Sequence, residues 1–126
     1  MEFNMNNLHE SAVKAAVRFV ERKGCSVVET DWVAEGLDGR IDLIVEDDDE
    51  LVFMDVMARR STDGFPESHA DRGQREVLAA KWLGNHSKEY CDMPIRFDNV
   101  SMMVVDGNRA MLRHHINCFG IPEPAM

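Results

Sequence analysis

Hydrophobic and polar residues alternate with a period of two across Gly39–Arg60, and this pattern predicts two β-strands folded about an acidic turn. In the first, Arg40, Asp42, Ile44 and Glu46 alternate with Ile41, Leu43 and Val45. In the second, Leu51, Phe53, Asp55 and Met57 alternate with Val52, Met54 and Val56. The run Asp47–Glu50 is too charged to bury and marks the turn. A hairpin symmetric about Asp48-Asp49 places Asp42 opposite Asp55 and Arg40 opposite Met57, a register that an odd-length loop or a bulge would break. Opposed side chains have Cβ atoms roughly 4.5–5.5 Å apart, where two like charges are destabilising unless something compensates them. A divalent cation held by oxygen ligands is one such partner. Solvation of both carboxylates on an outer face is the other reading of the same spacing.

Before this hairpin the period changes to that of a helix. Leu8, Ala12, Ala15, Ala16, Phe19 and Val20 share one face, Lys14, Arg18 and Arg22 point away, and Lys23-Gly24 supplies the stop. Asn7 and Glu10 have capping-box spacing, and Met1–Asn6 is expected to be mobile. Cys25–Val33 reads as a strand and Glu35–Gly39 as a turn. Beyond the hairpin, Arg59–Pro66 reads as a loop whose Arg59 and Arg60 either carry solvated charge, the reading favoured in isolation, or meet phosphates. Ser68 and Asp71 suggest a second cap. Gln74, Val77, Leu78, Lys81 and Trp82 then trace one face of a long helix running towards Tyr90, with Arg72, Gln74, Arg75 and Lys81 as a loose polar and basic set. Cys91–Pro94 breaks it, Arg96–Val105 and Ala110–Ile116 read as strands joined through Asp106-Gly107-Asn108, and Ile121–Pro124 is a tail. The element order is helix, three strands, helix, two strands.

A chain of 126 residues is expected to form one domain, with a core over about 8–120. Its hydrophobic content of 44% comes without an apolar run long enough for a bilayer and without a signal-peptide pattern, so a soluble, cytoplasmic protein with no membrane partner is expected. The net charge of −9 disfavours nucleic acid as a partner overall but leaves room for a local basic face. Three widely spaced cysteines, without a Cys-x-x-Cys pair, argue against a disulfide framework and a zinc site and read as core thiols. The five histidines have no metal-binding spacing and read as structural, with His114 and His115 on opposite faces of a strand. The methionines read as fillers of core gaps or as an adaptable surface.

The segments Gly39-Arg40-Ile41-Asp42-Leu43-Ile44 and Leu51-Val52-Phe53-Met54-Asp55-Val56-Met57-Ala58-Arg59 resemble the paired core strands of the YraN-like uncharacterised proteins. Phe19–Gly24, Ala79–Leu83, Arg96–Asp98 and His115–Phe119 follow in the order of that family, so the resemblance covers nearly all of residues 8–120. The family in turn resembles the restriction-endonuclease-like nucleases and Holliday-junction resolvases. That resemblance implies an α/β fold with a mixed, largely antiparallel sheet of about five strands flanked by two long helices. It also implies a catalytic site in which Asp42 and Asp55 hold magnesium or manganese, and DNA, branched or single-stranded, as a partner. Arg59, Arg60, Arg72 and Gln74 are the nucleic-acid contacts it suggests, Arg72 standing near a family lysine. Two departures alter the expectation. Met57 occupies the position of the family's catalytic lysine, and Arg40 that of a glutamate. Val13 also falls where related enzymes carry an acid on the first helix, which leaves capping as the role read for Glu10. The expectation is a nuclease-fold protein with weak or absent activity, Arg40 restoring local charge balance, or else a non-catalytic binding or scaffold module on the same fold.

Overall fold

The helical spacing at the start of the chain produces α1, Leu8–Arg22, in the computed structural model of the protein, which describes residues 3–66, 71–90 and 92–119. Ala12, Val13, Ala15, Ala16 and Val20 are buried, and the small alanines let the helix lie close against the sheet. The expected capping box does not form: Asn7 makes no side-chain cap, and Glu10 pairs instead with Lys14 at 3.4 Å. A 3-10 turn, Met5–Asn7, precedes the helix, with Asn4 Oδ1 accepting from the Asn6 N–H at 2.9 Å. From Phe3 onwards this end is held rather than mobile, because Phe3 is buried in the α1 core and its N–H donates to Gly107 O at 2.7 Å; Met1 and Glu2 lie outside the described residues.

The strands are β1 (Ser26–Val33), β2 (Arg40–Asp47), β3 (Glu50–Arg60), β4 (Ile95–Asp106) and β5 (Arg109–His115), and they form one sheet in that order. β1, β2 and β3 are an antiparallel meander, β3 and β4 run parallel, and β4 and β5 are antiparallel. The parallel step needs a crossover, supplied by α2 (Arg72–Gly84) and α3 (Ser87–Tyr90). The expected α/β arrangement of a mixed five-stranded sheet between helices is therefore present. The second helix ends earlier than its apolar spacing suggests, because Gly84 and Asn85 close α2. Asp71 caps that helix, accepting from the Gly73 N–H at 3.0 Å, while Ser68, Cys91 and the Ile121–Pro124 tail lie outside the described residues. Arg59 and Arg60 are strand residues rather than loop residues, since β3 stays paired with β4 as far as Arg60.

Two cores result. On one face α1 packs with Leu43, Val45, Val52, Met54, Val56, Val100 and Met102. On the other, Leu78, Ala79 and Trp82 of α2 pack on Ile44, Leu51 and Phe53. Trp82 is fully buried, and its indole N–H donates to Glu29 Oε1 at 2.8 Å. Cys25 is buried and Cys118 half-buried, both as free thiols. Among the described residues no helix is long and apolar enough to cross a membrane.

Candidate metal centre and its acids

The β2–β3 hairpin turns at Asp48-Asp49, with Asp48 in the left-handed region, and pairs Asp47 with Glu50 through to Leu43 with Met54. The register is the symmetric one, but the ladder ends one pair short of Asp42 and Asp55. At that point Asp42 uses its side chain, Oδ2 accepting from the Val56 N–H at 2.8 Å. The alternation of β2 also slips here, for Ile41 joins the α2-side core while Leu43 and Val45 join the α1-side core. The expected Arg40–Met57 pair does not form, since the backbone partner of Arg40 is Val33 on β1 and that of Met57 is Ser101 on β4. The Arg40 side chain nevertheless stays with the acids, its Nε donating to Asp42 Oδ1 at 3.2 Å.

The slip at Asp42 brings in two residues that the hairpin does not contain. Pairs Thr30–Leu43 and Trp32–Ile41 bracket Asp31, which therefore lies across from Asp42 and has φ 49°. That left-handed conformation is one that aspartate tolerates better than most residues. From the first turn of α1, His9 reaches down so that Nε2 lies 3.1 Å from Asp42 Oδ1 and 3.7 Å from Asp31 Oδ1. This nitrogen is buried and makes no well-directed hydrogen bond, an arrangement that costs free energy unless a partner is supplied. One donor atom from each of His9, Asp31 and Asp42 lies within 4.8 Å of the others. An imidazole nitrogen with carboxylate oxygens suits a divalent cation. Spacing along the sequence alone gives His9 a structural role. The overlooked signal is that it precedes Val13, the expected acid position, by one helical turn, and so shares its face.

Asp55 lies beside this cluster on β3. Burial pushes its carboxyl above the ordinary value, Arg75 opposes that, the negative charge of Asp42 adds to it, and His9 opposes it. Arg75, from α2, is the buried cation of the site, with Nε 3.6 Å from Asp55 Oδ2. Its other nitrogens are committed: Nη2 donates to Phe53 O at 3.0 Å and Asp98 O at 2.9 Å, and Nη1 to Asn99 Oδ1 at 2.7 Å. The ionised Asp55 is thus a net cost to the fold. Because its pKa is raised in the folded state, the folded protein binds the proton more tightly, and stability falls as pH rises from the unfolded carboxyl value through the folded one. Asp55→Asn is therefore expected to raise the melting temperature of the metal-free protein at pH 7. A thermal melt of the two proteins in chelator checks this, and an unchanged or lower value for the variant refutes it.

The remaining expected contacts are dispersed. Arg59 stands at the exposed end of β3 on the face of Asp55, and strand alternation turns Arg60 to the opposite face. Arg72 pairs with Glu76 at 2.8 Å, and Gln74 Nε2 donates to Asp38 O at 3.2 Å. That second bond clamps the β1–β2 turn, where Gly39 has φ 97°, a conformation strained for any residue with a side chain, and a Cβ would lie 2.8 Å from the Gln74 amide and displace it.

Comparison with known proteins places this geometry in a family. The profile described as "Uncharacterised protein family UPF0102" matches residues 13–102. A UPF0102 protein of Renibacterium salmoninarum is 36% identical over 103 residues, covering 79% of this chain and 84% of the relative. One of Pseudomonas syringae pv. syringae is 33% identical over 100 residues, covering 77% and 80%. One of Solibacter usitatus is 35% identical over 91 residues, covering 71% and 69%. The chain belongs to the uncharacterised family UPF0102.

Proposed function

We propose that this protein is a metal-dependent nuclease-fold protein of nucleic-acid processing whose hydrolytic activity is weak or absent. The observation that carries this reading is the set of costly groups gathered at one point: two adjacent carboxylates, one held above its ordinary pKa, and an unsatisfied His9 Nε2 directed at Asp42. Groups arranged at such a cost mark functional sites. Asp42, with His9 and Asp31 or with Asp55, would hold a divalent cation, which when bound would supply charge to polarise a phosphodiester and to lower the pKa of a water. The protein's own part is to orient Asp42 through the Val56 N–H and to hold Asp55 against Arg75. A second donor to the developing charge is what the site lacks. The Met57 thioether cannot provide one, and Arg75 is tied to three other oxygen acceptors. Arg40, half-exposed and held by one contact to Asp42, is the cation able to turn towards a phosphate. Loss of one preorganised donor costs about 10²–10³ in rate.

The alternative is a non-catalytic binding or scaffold module, favoured by the Arg75–Asp55 pair, which offsets part of that acid's charge without a metal. Magnesium or manganese is expected to raise the melting temperature, and Asp42→Asn to abolish the gain. His9→Ala should weaken the response to manganese more than that to magnesium, which prefers oxygen ligands. Incubating wild type, Met57→Lys and Asp55→Asn with branched, single-stranded and duplex DNA in manganese separates the two readings. Cleavage by wild type that Asp55→Asn abolishes supports the enzyme, and cleavage gained only in Met57→Lys identifies the missing donor. No cleavage by any of the three, with no metal-dependent shift, leaves the module.

A further inference from the structure

The strand registers carry the face of Asp55 outwards to residues that the hairpin alone does not reveal. Asp55 is paired with Asn99, and Asn99 with His115, so these three side chains form one row across β3, β4 and β5. Two residues further along β3, Met57, Ser101 and Arg113 form the next row, and Arg59, Met103 and Met111 the one after it. α2 covers the other end of this face, through Ile44, Leu51 and Phe53, and stops at Arg75 above the first row. Among the described residues, neither apolar core takes in the second or third row, and Met111 is 54% exposed.

Two exposed arginines, Arg59 and Arg113, stand on this face. In a chain of net charge −9, Arg40, Arg72, Arg75, Arg96 and Arg109 each have a carboxylate within 4 Å; among the described residues Arg59 and Arg113 on this face have none, and neither do Arg18, Arg22 and Arg60 on other faces. Arg113 is held in place by Phe65, its guanidinium 4.0 Å from the ring centroid. Outer strands of such a trio lie roughly 10 Å apart, so the two arginines flank a shallow strip floored by methionines and Ser101. Methionine is a polarisable surface that accommodates varied partners.

We propose that this strip is the track along which a nucleic-acid strand approaches Asp55, with Arg59 and Arg113 on its phosphates and the Met57, Met103 and Met111 side chains against its sugars and bases. The proposal rests on the nucleic-acid reading above and gives it a route. It is tested without metal or cleavage, by fluorescence anisotropy of labelled single-stranded and duplex DNA with the full chain in chelator over a series of salt concentrations. The double variant Arg59→Ala/Arg113→Ala is expected to weaken binding about tenfold or more and to lower the slope of log affinity against log salt by about 1 per lost contact. Met111→Glu, at an exposed position, is expected to weaken binding by repulsion while leaving the melting temperature unchanged. Arg18→Ala, an equally exposed arginine on the outer side of α1, is the control and is expected to change neither quantity. Wild-type binding that the double variant and Met111→Glu leave intact, or that Arg18→Ala weakens as much, overturns the track but not the nucleic-acid reading. Absence of wild-type binding to either DNA at low salt overturns both.

Discussion

Asp98→Ala is expected to lower the melting temperature by about 12–20 °C, because it breaks a buried ion pair from one side, at about 3–5 kcal/mol, in a domain where each kcal/mol is worth about 4 °C. Asp98 has no solvent exposure and accepts four well-formed hydrogen bonds. Two come from Arg96, at 2.9 and 3.0 Å, one from His114 Nε2 at 2.8 Å, and one from the Asn117 N–H at 2.8 Å. Its loss leaves the buried Arg96 with Asp47 and Glu50 alone, at the turn end of the hairpin. It also removes one tie between β4 and the residues after β5, leaving the Cys118 N–H on Phe97 O. Burial alone would raise the Asp98 carboxyl, but the bonds from His114, Arg96 and Asn117 outweigh it and hold the group below its ordinary value. A depressed folded-state pKa means stability that is complete above the unfolded value, about 3.9, and is lost as pH falls through the folded value. Urea unfolding at pH 7 and through the acid range checks both parts: the variant should be less stable at neutral pH and should lack this acid-labile component.

Arg75→Ala should be comparably severe, about 3–5 kcal/mol, because it strands Phe53 O, Asp98 O and Asn99 Oδ1 in the interior and leaves Asp55 beside Asp42 without its cation. Arg75→Lys should recover only part of the loss, since an ammonium lacks the planar fork that spans these acceptors. The two contributions are separable. With Arg75 gone, the Asp55 carboxyl rises further, so the variant should regain stability as pH falls from neutral, opposite in sign to the Asp98 component. Arg75→Ala/Asp55→Asn should then be more stable at pH 7 than Arg75→Ala alone, a coupling that a double-mutant cycle in urea measures directly. A double variant less stable than Arg75→Ala would show that the arginine acts through packing and backbone acceptors only.

Much of the fold was legible because it rests on short-range periodicity. Helical spacing over Leu8–Val20 places apolar groups on one face, alternation over Arg40–Met57 sends successive side chains to opposite faces except at the slip beside Asp42, and the acidic Asp48-Asp49 turn specified the register now seen from Asp47–Glu50 to Leu43–Met54. The capping of α1 was misread. Phe3 docks into the α1 core and leads the chain into the helix through a 3-10 turn, an interaction that the local motif does not contain.

The site divides along the same line. The sequence by itself determined that Asp42 and Asp55 come close together, because strand pairing is set by positions a few residues apart. Only the tertiary structure decided which groups surround those acids. His9 arrives from α1, Asp31 from a left-handed kink in β1, and Arg75 from α2, each brought by helix-on-sheet packing or by long-range pairing that leaves no periodic trace. Arg75 shows the reason most clearly. In the sequence it is one of several charged residues on a helix expected to face water, yet it is 8% exposed, because backbone carbonyls of β3 and β4, far from it along the chain, are the acceptors its guanidinium satisfies.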